Sequence, residues 1–97
     1  MPRHEKIMTL SRHDFIRTLG QFASRHGFAL SGSGDAQWRL LTPDGLARVS
    51  ARAHPGLRRG ALNLPRLAVT LDLSCLPPAA REGFLSAFET SFHRGGG

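Results

Sequence analysis

The sequence predicts a two-layer α+β sandwich with elements in the order α-β-β-β-β-α. Two stretches, 12–26 and 78–93, repeat phenylalanine and other apolar residues at helical spacing. Between them lie segments that alternate apolar and polar residues, parted by turn signals such as Pro43-Asp44-Gly45. Short turns make consecutive strands antiparallel neighbours, so a four-stranded meander is expected. Each helix offers one apolar stripe. The economical way to bury both is to pack both terminal helices on one face of the sheet.

Residues 1–10 read as a flexible lead-in, 11–93 as a single α+β domain and 94–97 as a flexible glycine tail. Ser11 is a good N-cap for the first helix, and Asp14 three residues later gives a capping-box-like pair. Leu10 before the cap and Phe15 at the fourth helical position match a hydrophobic staple. Phe15, Leu19, Phe22, Ala23 and His26 form the stripe, with Ile16 beside it, and Gly27-Phe28 suits a left-handed, Schellman-type ending. Gly20 lies inside this helix and suggests close approach by another element. His26 is expected to be partly buried at the helix end.

Phe28 to Ser31 reads as a short strand closed by the loop Gly32-Ser33-Gly34-Asp35. Gln37 to Thr42 alternates, with Trp38 and Leu40 on the core side. Leu46 to Ala53 alternates again, and its small face, Ala47, Val49, Ala51 and Ala53, is the core candidate because a buried unpaired arginine is costly. His54-Pro55-Gly56 is expected to break that strand, leaving Arg58, Arg59 and Gly60 on a loop. In the last strand, Leu67, Val69, Leu71 and Leu73 share one face while Leu62 and Leu64 have the other parity. Pro65 sits at the change, which predicts a bulge or break at an edge position. Pro77-Pro78 opens the second helix, whose stripe is Ala80, Phe84, Ala87, Phe88, Ser91 and Phe92. Glu82 near its start and Arg94 past its end both favour the helix dipole.

At 97 residues and 40% hydrophobic, the chain has the composition of a small globular domain rather than a disordered one. No apolar run reaches the ~18 residues of a membrane span. The charged segment Met1 to Met8 lacks the apolar core of a signal peptide, so a cytoplasmic location is expected. Cys75 is the one cysteine, which excludes an intrachain disulfide and a cysteine-based metal site; its apolar neighbours suggest an inert buried thiol. No two of the five histidines have metal-ligand spacing, and the scattered acids form no catalytic pair, so no enzyme, cofactor or metal is expected. Gly32-Ser33-Gly34 lacks the remaining pattern of a phosphate-cradling loop and reads as a hairpin turn.

One feature leans toward a function. Between Asp44 and Asp72 there are five arginines and no acidic residue, in a chain of net charge +6. Alternation places Gln37, Arg39, Leu46, Arg48, Ser50, Arg52, Arg66, Ala68, Thr70 and Asp72 on the uncovered face, with Arg58 and Arg59 on the hairpin at its edge. Unopposed guanidinium groups attract phosphates and carboxylates. Arg39, Arg48, Arg52, Arg58, Arg59 and Arg66 are therefore the candidate anion-binding or nucleic-acid-binding residues of a small non-enzymatic binding module. The expected partner is nucleic acid or an acidic protein. The alternative is a homodimer or accessory subunit that docks through the same face. A solvated face that discourages sheet-to-sheet pairing would look similar, and a GC-rich genome also favours arginine codons. The face offers no exposed aromatic pair on which bases could stack.

Overall fold

The computed structural model describes residues 3–33 and 36–96. In chain order the elements are β1 (Arg3–Met8), α1 (Arg12–His26), β2 (Ala29–Ser33), β3 (Gln37–Thr42), β4 (Gly45–Arg59), β5 (Leu62–Asp72) and α2 (Pro78–Gly96). They form a small α+β fold with one five-stranded sheet in the order β1-β5-β4-β3-β2, antiparallel throughout. The meander of four strands is there. The fifth strand is a correction: Arg3–Met8, read as lead-in, pairs along β5 from Arg3 opposite Asp72 to Met8 opposite Leu67. α1 is therefore not a terminal element.

Local signals set α1 as the sequence predicts. The Ser11 hydroxyl accepts from the Asp14 amide at 3.1 Å, and Asp14 turns its carboxylate to Arg17 instead of closing a reciprocal box. Gly27 adopts φ 70°, ψ 25°, and the Phe28 amide donates to the Ala23 carbonyl at 2.9 Å. Phe28 then packs on Phe22 and Phe84, the apolar contact that accompanies this type of ending. His26 is exposed rather than partly buried, with its ring stacked on Phe28.

The phenylalanines of both helices meet the apolar sides of the strands in one cluster. Phe15, Leu19 and Phe22 from α1 and Phe84, Phe88 and Phe92 from α2 are buried with Trp38, Leu40, Ala47, Val49, Ala51, Leu67, Val69 and Leu71. Phe15 sits between Trp38 (ring centroids 5.3 Å) and Phe92 (5.2 Å), and Phe22 is edge-on to Phe84 and Phe88. These are the tilted and edge-to-face arrangements that aromatic quadrupoles favour. Arg12 in α1 donates to the Ala51 carbonyl of β4, and Lys6 in β1 pairs with Glu89 in α2. No buried side-chain polar atom among the described residues lacks a hydrogen-bond partner.

The β4–β5 hairpin departs most from expectation. His54-Pro55-Gly56 does not end β4, and Arg58 and Arg59 lie in the strand rather than on a loop. Pairing runs His54–Arg66, then slips, then resumes as Leu57–Leu64, Arg58–Asn63 and Arg59–Leu62. Two residues, Pro55 and Gly56, oppose the single Pro65. The bulge thus forms on β4, opposite the proline that predicts it. The reversal is the two-residue turn Gly60-Ala61, with Gly60 at φ 58°, a conformation glycine adopts without strain. β1 pairs no further than Leu67 and β3 no further than Ser50, so the distal hairpin is a two-stranded arm. It contributes to a long axis of 45 Å.

Cys75 is exposed in the β5–α2 turn, not buried. That turn is held by Arg81, which donates to the carbonyls of Leu73 and Leu76. α2 continues through Gly96, past the expected end at 93. Of the expected loop Gly32-Ser33-Gly34-Asp35, Gly32 and Ser33 belong to β2, and Gly34-Asp35 lies outside the described residues, as do the Arg94 side chain, Met1-Pro2 and Gly97. No described helix is long and apolar enough to cross a membrane.

Two glycines test the packing. A Cβ at Gly20 meets nothing within 4 Å, so the close approach suggested by the sequence is not made. Gly20→Ala should stabilise the fold by roughly 0.5–1 kcal/mol in chemical denaturation. A Cβ at Gly32 falls 2.6 Å from the Trp38 ring and 2.8 Å from the Gln37 carbonyl. Gly32→Ala should lower the midpoint. A destabilised Gly20→Ala or a neutral Gly32→Ala would contradict this packing.

Candidate functional site

Strand register arranges the uncovered side of the sheet in rows. One row crosses all five strands: Arg3, Asp72, Arg48, Arg39 and Ser31. The next carries Glu5, Thr70, Ser50 and Gln37, and the one beyond it Ile7, Ala68 and Arg52. All of these except Ile7 line an open trough of about 810 Å³. Four arginines, Arg3, Arg39, Arg48 and Arg52, face two carboxylates, Glu5 and Asp72, in that lining.

The central feature is Arg39 directly opposite Arg48. Side chains at such positions start ~5 Å apart at Cβ, and like charges there are destabilising. Among the described residues neither guanidinium makes an ion pair. Asp72 stands across from Arg48 in register, but its oxygens are engaged elsewhere. One accepts from the Ser74 hydroxyl at 2.7 Å and the Ser74 amide at 3.1 Å; the other lies 3.6 Å from Arg3. The Ser74 bonds, and secondarily the charge of Arg3, hold the Asp72 carboxyl below its ordinary pKa. Asp72 does pair with an arginine, as its position suggests, and the partner comes from the strand the sequence did not reveal.

Of the six candidate arginines, the trough gathers three: Arg39, Arg48 and Arg52. Arg66 lies along β5 opposite His54, and its Nε donates to the Pro55 carbonyl at 2.8 Å, which bridges the bulge. Arg58 bonds Asn63 and, with Arg59, stands at the far end of the arm. Ser31 is a polar lining residue that sequence reasoning missed, and Arg3 and Glu5 are the charged ones. Their alternation was visible, but both faces of Arg3–Met8 carry charge, so no apolar side marked the segment as a strand. Trp38 is buried in the core, as expected, and contributes no stacking surface.

Among the described residues no group of three or more histidine, cysteine, aspartate or glutamate side chains is placed to hold a metal ion. His54 sits opposite Arg66 without a hydrogen-bonded carboxylate. Neither protein-family models nor curated proteins give any match to this sequence.

The Asp72–Ser74 pair gives a direct check. A carboxyl lowered on folding adds stability above its unfolded pKa, and that stability is lost as pH falls through the lower folded value. Ser74→Ala should move the Asp72 pKa upward in an NMR titration and make the acid loss of stability shallower. An unmoved pKa would assign the effect to Arg3 instead.

Proposed function

We propose that this chain is a non-enzymatic binding module of the cytoplasm that takes an anionic macromolecule on the open face of its sheet. The observation that carries this reading is the Arg39–Arg48 pair, two exposed arginines directly opposite each other in strand register, neither of which makes an ion pair among the described residues. Like charges directly opposite each other weaken the free protein. An anion bridging both would reverse the sign of that term, since arginine forks suit phosphate and carboxylate. Burying both helices against the other side leaves this face free. Ser31, Gln37, Ser50 and Thr70 add hydrogen-bonding groups around the cations. The exposed thiol of Cys75 suits a reducing compartment.

A second reading, a homodimer or accessory subunit docked through the same face, draws on the exposed Ile7, Leu41 and Leu62. A concentration-dependent mass twice that of the chain would favour it.

Charge reversal separates a binding role from a structural one. Arg39→Glu alone converts a repulsive cross-strand pair into an attractive one. It should raise the thermal midpoint slightly while weakening binding to both poly-glutamate and single-stranded DNA. Arg39→Glu with Arg48→Glu restores repulsion, so stability should return near the original value while binding is lost. Whatever binds the unchanged protein should weaken as salt rises. Unchanged affinity in the doubly reversed protein would overturn the reading.

A further inference from the structure

From the open face we infer that its partner is an acidic amphipathic segment of another protein, apolar at both ends and acidic in the middle. The inference rests on the anion-binding reading above and deepens it.

The bulge opposite Pro65 re-aims the far end of β4. Before it, the even-numbered residues of β4, from Leu46 to His54, face the open side. After it, Leu57 and Arg59 do, because the pairing resumes as Leu57–Leu64 and Arg59–Leu62. β5 keeps its alternation, so Leu62, Leu64, Arg66 and Ala68 all stand opposite in parity to the buried Leu67, Val69 and Leu71. The inserted residue thus brings Leu57 onto the open side of the arm, beside Leu62 and Leu64, which the alternation of β5 already places there. At the other end of the same face, Leu46 is paired with Leu41, and Leu41 with Ala29. Leu41 is 58% exposed and Leu62 63%. Arg39, Arg48 and Arg52 lie between these two apolar ends.

The spacing is that of a long segment. Leu46 to Arg59 along β4 spans roughly 40 Å at ~3.3 Å per residue, which a helix of about 25 residues would cover. A nucleic acid would use the arginines but would set phosphates against the leucines, and the face has no exposed aromatic side chain for bases. A second copy would bring its own arginine band and net charge of +6 to the same place. A segment with glutamates or aspartates in the middle and leucine-like residues at both ends matches each band with its complement.

The test is display selection of random 25-residue peptides on the full chain. Binding of the selected peptides and of random-sequence single-stranded DNA is then measured on three proteins: the unchanged chain, R39E/R48E and L41S/L62S. Both leucines are exposed, and circular dichroism checks that each variant folds. Selected peptides should carry an acidic centre with apolar flanks, lose binding on R39E/R48E, and bind L41S/L62S about tenfold or more weakly. Peptides that are merely acidic and bind L41S/L62S unchanged would overturn the inference while leaving the anion-binding reading intact. So would DNA that outcompetes every selected peptide, or loss of a self-dimer in L41S/L62S. Peptides that bind R39E/R48E as well as the unchanged chain, or no selection at all together with no DNA binding, would overturn both.

Discussion

Six phenylalanines and one tryptophan must leave water, and the strands offer a single apolar side to receive them. Phe15 wedged between Trp38 and Phe92, and Phe22 set edge-on to Phe84 and Phe88, tie α1, α2 and the sheet into one cluster. β4 supplies small residues beneath this layer, Ala47 and Ala51, leaving room for the rings. Strand alternation then leaves no choice for the rest. Every residue of opposite parity is sent to the other side, and in this chain those residues are largely arginine, serine, threonine and a few leucines. One-sided burial is the constraint from which the character of the open face follows.

That face carries its charge in an unusual way. A sheet that needed only solubility could place Arg39 and Arg48 opposite acids or neutral residues, and Asp72 is near enough to serve. Instead Ser74 and Arg3 hold Asp72 as a charged, hydrogen-bonded carboxylate at the start of the β5–α2 turn. Arg39 and Arg48 are left opposite each other in the strand register. The cost is small against total stability, yet nothing in the fold returns it. A ligand that does so gains affinity from strain already present in the free protein.

How much of this was legible in the sequence depended on whether the signal was local. Ser11, Gly27 and the apolar spacing of 12–26 specify α1 within one stretch of chain, and β3 and the start of β4 alternate cleanly between turn residues. β1 carries no such signal because its inward side holds His4, Lys6 and Met8 rather than an apolar row; Lys6 is half-buried there and pairs with Glu89 of α2. That partner lies 83 positions away in the chain. Cys75 looked buried beside Leu73 and Leu76, but the turn that hides those leucines faces the thiol outward. Half of the candidate arginines reach the trough, because alternation predicts the side of the sheet and not the distance along it.

The hairpin shows why a local break signal and its outcome diverge. Pro55-Gly56 has the composition of a strand end, and an isolated strand would stop there. Three pairs beyond it, Leu57 with Leu64, Arg58 with Asn63 and Arg59 with Leu62, restart the ladder once the extra residue is absorbed opposite Pro65. Arg66 bridges the irregularity by donating to the Pro55 carbonyl, so the bulge has its own hydrogen bond. Had β4 continued without the insertion, Leu57 would face the helix side, opposite Asn63. The open side of the arm would then carry Leu62 and Leu64 without Leu57. With the insertion Leu57 joins them, and charged and apolar side chains share one side of the sheet.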